Sequence, residues 1–228
     1  MDLLQAMRER HSVRSYTEQP IEGKIKKDLT AFVEQCSRES GLHLQLVLDE
    51  PDAFQSLLAH YGKFSGVRNY IVLAGKKGDE LDEKCGYYGE KIVLYAQTLG
   101  LNTCWVALTY SKRKVKIRLE KGEKLCLVIA VGYGTTAGVS HKSKSREQVM
   151  RTQTTPPEWF LKGIDAALLA PTALNQQKFV FSLDGNTVRA ETETGFYSKV
   201  DLGIAKYHFE LGAGGQENAD QNISVFGL

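Results

Sequence analysis

The stretch "KLCLVIAVG", residues 124–132, constrains this chain more than any other. It is an almost unbroken apolar run of strand length, and it reads as a buried strand. "NYIVLAG" (69–75) reads the same way. Between them "GYYGEKIVLYAQTLGLNTCW" places Ile92, Tyr95, Ala96 and Leu99 at helical spacing, so a core helix lies there with Gly100 as its cap. Burying these elements takes an ordinary globular composition, and the chain has one: 228 residues, 42% hydrophobic and 25% charged. That length suits one large domain or two small ones intimately joined.

The flanking sequence adds elements of both kinds. Leu3, Leu4 and Met7 mark a short helix over 2–10, and Ile25, Leu29, Phe32 and Val33 a second one beyond Pro20. "LHLQLVL" (42–48) alternates as a strand. From Thr135 to Pro157 apolar periodicity is lost, which predicts a connector. A helix marked by Trp159, Ile164, Ala167 and Leu168 follows, then "KFVFSLDGNTVRAETE", a hairpin turning at Asp184-Gly185-Asn186. The helix "SKVDLGIAKYHFELGAGG" closes the folded part, and the last dozen residues are expected to be loosely held. Ile92, Tyr95, Leu99 and Gly100 recur at the same spacing as Ile204, Tyr207, Leu211 and Gly212. The expectation is a diverged tandem duplication, residues 1–150 and 151–228, forming two pseudo-symmetric halves. The fold class is α+β, with a mainly antiparallel sheet flanked by helices.

Several functions find no support. A net charge of +2 gives no argument for nucleic acid. No apolar run approaches a membrane span, and the N-terminus lacks a signal-peptide core, so a cytoplasmic protein is expected. Cys36, Cys85, Cys104 and Cys126 form no C-x-x-C pair and read as reduced thiols. His43, His60, His141 and His208 show no metal-ligand pattern, and no Ser-His-Asp or paired-carboxylate spacing is convincing. "VGYGTTAG" (131–138) imitates a dinucleotide fingerprint, but the sequence after it carries no apolar helical stripe to follow the glycines.

Three polar stretches can carry chemistry. "RERHSVRSYT" (8–17) sets Arg10, Ser12 and Arg14 two residues apart, so an extended backbone puts all three on one face. Two guanidinium forks around a hydroxyl suit a phosphate; cations favouring a helix C-terminus explain the same run without a ligand. "HKSKSRE" offers Lys142, Lys144 and Arg146 after a buried strand. "APTALNQQKFVF" (170–181) breaks a helix at Pro171 and presents Thr172, Asn175 and Gln176, whose amides suit the edge of a heterocycle or, equally, a polar helix end.

Together with "YAQTLGLNTCW" and "AVGYG … KSR", these stretches resemble the FMN-dependent nitroreductase family over most of the chain. The resemblance implies that Arg10, His11, Ser12, Arg14, Lys144 and Arg146 lie on the phosphate side of FMN. Pro171, Thr172 and Asn175 would line the isoalloxazine, and Asn69 would meet its polar edge. It implies an NADH- or NADPH-dependent oxidoreductase in which the flavin carries the chemistry, reducing nitroaromatic or quinone-like small-molecule acceptors by ping-pong transfer. The order departs from the usual pattern, because the flavin loop stands in the second half rather than soon after the arginine segment. One chain would then complete one site as a monomer, with a dimer still open. A catalytically silent flavin or nucleotide binder keeping the fold is the alternative.

Overall fold

The computed structural model describes residues 1–55, 61–214 and 226. The chain runs α1 (Leu3–Glu9), α2 (Gly23–Ser40), β1 (His43–Val47), β2 (Tyr70–Lys76), α3 (Leu81–Thr98), β3 (Asn102–Val106) and β4 (Glu123–Gly132). It continues through α4 (Arg146–Val149), β5 (Met150–Thr152), α5 (Glu158–Ala167), β6 (Phe179–Asp184), β7 (Thr187–Thr192) and α6 (Ser198–Gly212). Two compact units emerge: Met1, Glu9–Leu81 and Lys91–Ser140 form the first, and Asp2–Arg8, Asp82–Glu90 and His141–Leu228 the second.

The first unit is built on an antiparallel sheet in the order β1-β2-β4-β3. Its two central strands are the two apolar runs of the sequence. Tyr70 to Ala74 are buried without alternation because both faces are covered, and Tyr70 pairs with Ala130. Helix α2 buries Leu29, Val33 and Cys36 and stops at Gly41, whose left-handed φ of 69° lets its N–H reach the Ser37 carbonyl. Phe32 stacks on Tyr95 at 4.1 Å. The sheet's core gathers Val13, Tyr16, Phe54, Phe64, Tyr70 and Tyr110.

In the second unit β5 runs parallel to β6, and β6 and β7 form the antiparallel hairpin turning at Gly185-Asn186. Phe179 and Phe181 point inward, and Phe181 stacks on Phe209 of α6 at 4.7 Å. Gly163 sits under the Phe209 ring, where a Cβ would lie 2.6 Å from it. The first turns of α3 approach α6 at backbone distance. A Cβ on Gly86 would stand 2.0 Å from the Val200 carbonyl oxygen, and one on Gly203 2.0 Å from that of Glu83. His208 is wholly buried, with Nδ1 3.1 Å from the Ala166 carbonyl and Nε2 2.9 Å from Glu90 Oε1.

Two segments differ from the sequence reading. "NTCWV", given no element of its own after the Gly100 cap, is a strand, and the connector over 135–157 contains α4 and β5. β3 has no strict alternation of buried and exposed positions, and three-residue β5 is too short to display a period. The α4 turn is instead marked by a capping box between Ser145 and Gln148. The reading of the last dozen residues lies outside the described residues except at Phe226. Among the described residues no helix is long and apolar enough to cross a membrane.

Candidate cofactor site

The predicted site residues fall into two groups, one in each unit. In the first, the chain leaves α1 and runs extended from Arg10, held on several sides by backbone hydrogen bonds. Val13 N–H donates to the Thr103 carbonyl (3.0 Å) and Tyr16 N–H to that of Ser65 (3.0 Å). Ser65 N–H donates in return to the Arg14 carbonyl (3.0 Å), and Thr17 N–H to that of Tyr133 (2.8 Å). Val13 and Tyr16 turn inward, and the Tyr16 hydroxyl donates to the Val13 carbonyl at 2.7 Å.

This packing accounts for the glycines of "VGYGTTAG". A Cβ on Gly132 would sit 3.0 Å from the Tyr16 ring, and one on Gly134 2.8 Å from Val13 Cγ1. No helix follows them before Arg146. They are places of close approach by the opening segment, with no helix N-terminus for a pyrophosphate.

Arg10, Ser12 and Arg14 share surroundings, as a spacing of two in extended backbone requires. All three act on the Cys104 thiol, which is 2% exposed. Burial pushes that thiol's pKa up, while Arg14, a hydrogen bond from Ser12 and Arg10 pull against the rise. Burial likewise raises the Tyr16 hydroxyl, reinforced by Cys104 and opposed by Arg14. Arg14 is exposed and lies over the Phe64 ring at 6.0 Å. Arg10 is only 6% exposed, and its Nη1 is buried without a hydrogen-bond partner. A buried cationic donor left unbonded costs stability unless something outside the protein completes it. His11 faces Gly138, where a Cβ would come within 2.8 Å of its own. Asn69 immediately precedes β2; its Oδ1 accepts the Asp49 N–H at 3.0 Å.

The second group surrounds the loop after α5. Leu174, Asn175 and Gln177 all have left-handed backbone, φ 54°, 53° and 45°. Each costs on the order of 1–3 kcal/mol in a residue other than glycine and persists where neighbours over-determine it. Gln177 is one such neighbour. Only 2% exposed, it donates from Nε2 to the Lys142 carbonyl (2.9 Å) and Asn175 Oδ1 (2.8 Å), and from its N–H to Thr172 Oγ1 (3.1 Å). It accepts the Lys144 N–H on Oε1 (2.9 Å) and the Lys144 ammonium on its carbonyl (2.8 Å). Asp201, 3% exposed, accepts the Ala173 N–H at 2.9 Å and the Gln176 amide at 2.7 Å. Burial raises its carboxyl to about 6 against the pull of these two donors. The "HKSKSRE" and "APTALNQQ" stretches are thereby knitted together, with Pro171 and Thr172 half-buried and Leu174 exposed at the tip. Arg146 grips Asp165 with two bonds of 2.6 Å.

Sequence reasoning did not single out Cys104, Tyr16, Gln177 or Asp201 as site residues. Tyr16 is a large aromatic in a largely polar segment, a usable signal of burial. Asp201 and Gln177 are polar residues among many, and only the fold reveals that they are buried.

A family model described as "Putative TM nitroreductase" matches residues 2–213. A Thermotoga maritima protein described as a "putative nitroreductase" shares the fold at TM-score 0.66 and 24% identity, over 95% of this chain and 85% of its own. A "putative nitroreductase in complex with FMN" from Desulfovibrio desulfuricans aligns at TM-score 0.53 and 16% identity, over 68% and 98%. A Parabacteroides distasonis protein described as "Putative NADH dehydrogenase/NAD(P)H nitroreductase" aligns at 0.50 and 22%, over 64% and 95%. No curated protein matches the chain. With its α+β fold, its antiparallel sheet and a family match that runs from the second residue to the end of α6, the chain belongs to the nitroreductase family.

Proposed function

We propose that this protein is an FMN-dependent oxidoreductase that takes electrons from NADH or NADPH and reduces nitroaromatic or quinone-like small molecules. The observation that carries the reading is the buried, unbonded Nη1 of Arg10 beside Ser12 and Arg14. That donor set fits the phosphate of FMN: two charged forks and a hydroxyl, each charged bond worth roughly 1.5–3 kcal/mol. Arg10, Ser12 and Arg14 hold the phosphate, with His11 at the edge. Lys144 and Arg146, assigned to the phosphate side by the family resemblance, bond the Gln177 carbonyl and Asp165 within the second unit. Pro171, Thr172 and Asn175 line the ring on a loop already fixed by Gln177 and Asp201, and Asn69 serves its polar edge. When bound, FMN supplies hydride uptake and electron delivery, so the protein's part is to bind and orient. Donor and acceptor using one site in turn give ping-pong kinetics.

The absorbance spectrum of the purified chain tests this directly. Flavin bands that NAD(P)H bleaches without oxygen support the enzyme; flavin bands that it leaves untouched support the silent binder. A chain that binds no FMN even when it is added overturns both.

We also propose that residues 1–150 and 151–228 are diverged copies. Helix–strand–strand–helix recurs, as α2-β1-β2-α3 and α5-β6-β7-α6, with both strand pairs antiparallel. Superposing 30–134 on 157–214 should pair these elements in order.

A further inference from the structure

We propose that the outer face of the β5-β6-β7 sheet carries a second anion site, for a phosphate monoester borne on a polyol, such as a sugar phosphate. Arg151, Ser182 and Arg189 stand side by side across the three strands. Arg151 pairs with Ser182 in the parallel register and Ser182 with Arg189 in the antiparallel one. Paired positions project from the same face, so a hydroxyl lies between two guanidinium groups. The neighbouring positions on β6 and β7, Phe181 and Val188, are buried on the opposite face, which fixes the row outward.

A cavity of about 610 Å³ opens above this row. Such a volume falls in the range of small-molecule sites and exceeds what a bare phosphate fills. Arg151 donates through Nη1 to the carbonyls of Glu147 (3.3 Å) and Met150 (2.8 Å), which holds its fork in place. Arg189 is exposed and makes no hydrogen bond or ion pair among the described residues. Neither arginine is neutralised by Glu147 or Asp184, although both acids line the same cavity.

Those two acids narrow the class of ligand. Glu147 is held below the usual carboxylate range, first by the Ser145 hydroxyl, so it stays ionised and acts only as an acceptor. Two guanidinium groups and a hydroxyl take a phosphate; two carboxylates beside it take hydroxyl donors and repel further negative charge. A phosphate carried on a polyol meets both demands, and a polyphosphate does not.

The test is calorimetric titration of the full chain with ribose 5-phosphate. This site owes nothing to the cofactor reading, and Arg14→Ala keeps the two apart. We expect saturable binding that Arg14→Ala leaves intact, that Arg189→Gln weakens about tenfold or more, and that ribose alone does not show. Ser182→Ala should weaken it by a smaller factor, and Arg189 bonds to nothing whose loss would unfold the chain. Unchanged affinity in Arg189→Gln, loss of binding in Arg14→Ala, or no saturation in the wild type each overturns the proposal.

Discussion

His208 and Glu90 face each other at 2.9 Å with both side chains wholly buried. His208 Nδ1 lies against the Ala166 carbonyl and must carry a proton to bond it, so Nε2 is the atom that meets Glu90. Removing one member of such a pair strands the other in the core. Glu90→Ala should therefore cost about 3–5 kcal/mol. Glu90→Gln can still offer an N–H to a neutral imidazole and should cost clearly less. Urea denaturation of the two variants checks the order.

Arg10 makes opposite predictions for stability and binding. Arg10→Met removes a buried, unbonded donor, so the ligand-free protein should gain about 1–3 kcal/mol. The same change should abolish FMN binding. Arg14→Ala, at an exposed position, should weaken FMN by about 1.5–3 kcal/mol with little effect on unfolding. Flavin fluorescence titration and thermal unfolding of the same samples read both quantities.

Asp201 predicts a particular pH dependence. Its folded carboxyl sits near 6 against an ordinary 3.8, so the native state binds this proton more tightly than the unfolded chain does. Its contribution therefore falls as pH rises from about 4 to about 6, by up to roughly 3 kcal/mol at 1.36 kcal/mol per unit. Asp201→Asn should remove that slope. The difference between wild-type and variant unfolding free energies, followed from pH 4 to 7.5, should trace it.

At Gly86 and Gly203, α3 and α6 approach backbone to backbone. Alanine at either should cost about 1–3 kcal/mol or more, because the facing atoms are the Val200 and Glu83 carbonyl oxygens, which cannot swing aside. The double variant should lose less than the sum, since one separation of the helices relieves both clashes. Denaturant midpoints of the three variants test it.

If one chain completes one flavin site, as the order of its motifs implies, the loaded protein should hold one FMN per chain. Protein and flavin absorbance measured on one sample give that ratio directly.

The sequence was most informative where burial leaves a strong pattern. The apolar runs at 69–75 and 124–132 became the two central strands, and the Asp184-Gly185-Asn186 turn joined the hairpin as expected. Arg10, Ser12 and Arg14 all act on the Cys104 thiol, and their closeness in sequence is a local property. What stayed hidden depends on partners far along the chain. Gln177 reads as any loop amide until Lys142 and Lys144 close on it, and Asp201 as any helix-start acid until Ala173 and Gln176 arrive. Cys104 could be read as buried, but its place beside two arginines follows from Ser12 pairing with Thr103.

The opening segment is pinned through Val13, Arg14, Tyr16 and Thr17 to three other stretches of backbone. Its ordering entropy is therefore lost when the chain folds, before any anion arrives. Capture should then follow a single encounter step with no slow rearrangement behind it. If Arg10, Ser12 and Arg14 hold the phosphate as proposed, its association rate should fall as ionic strength rises, since a preordered positive segment attracts an anion from a distance.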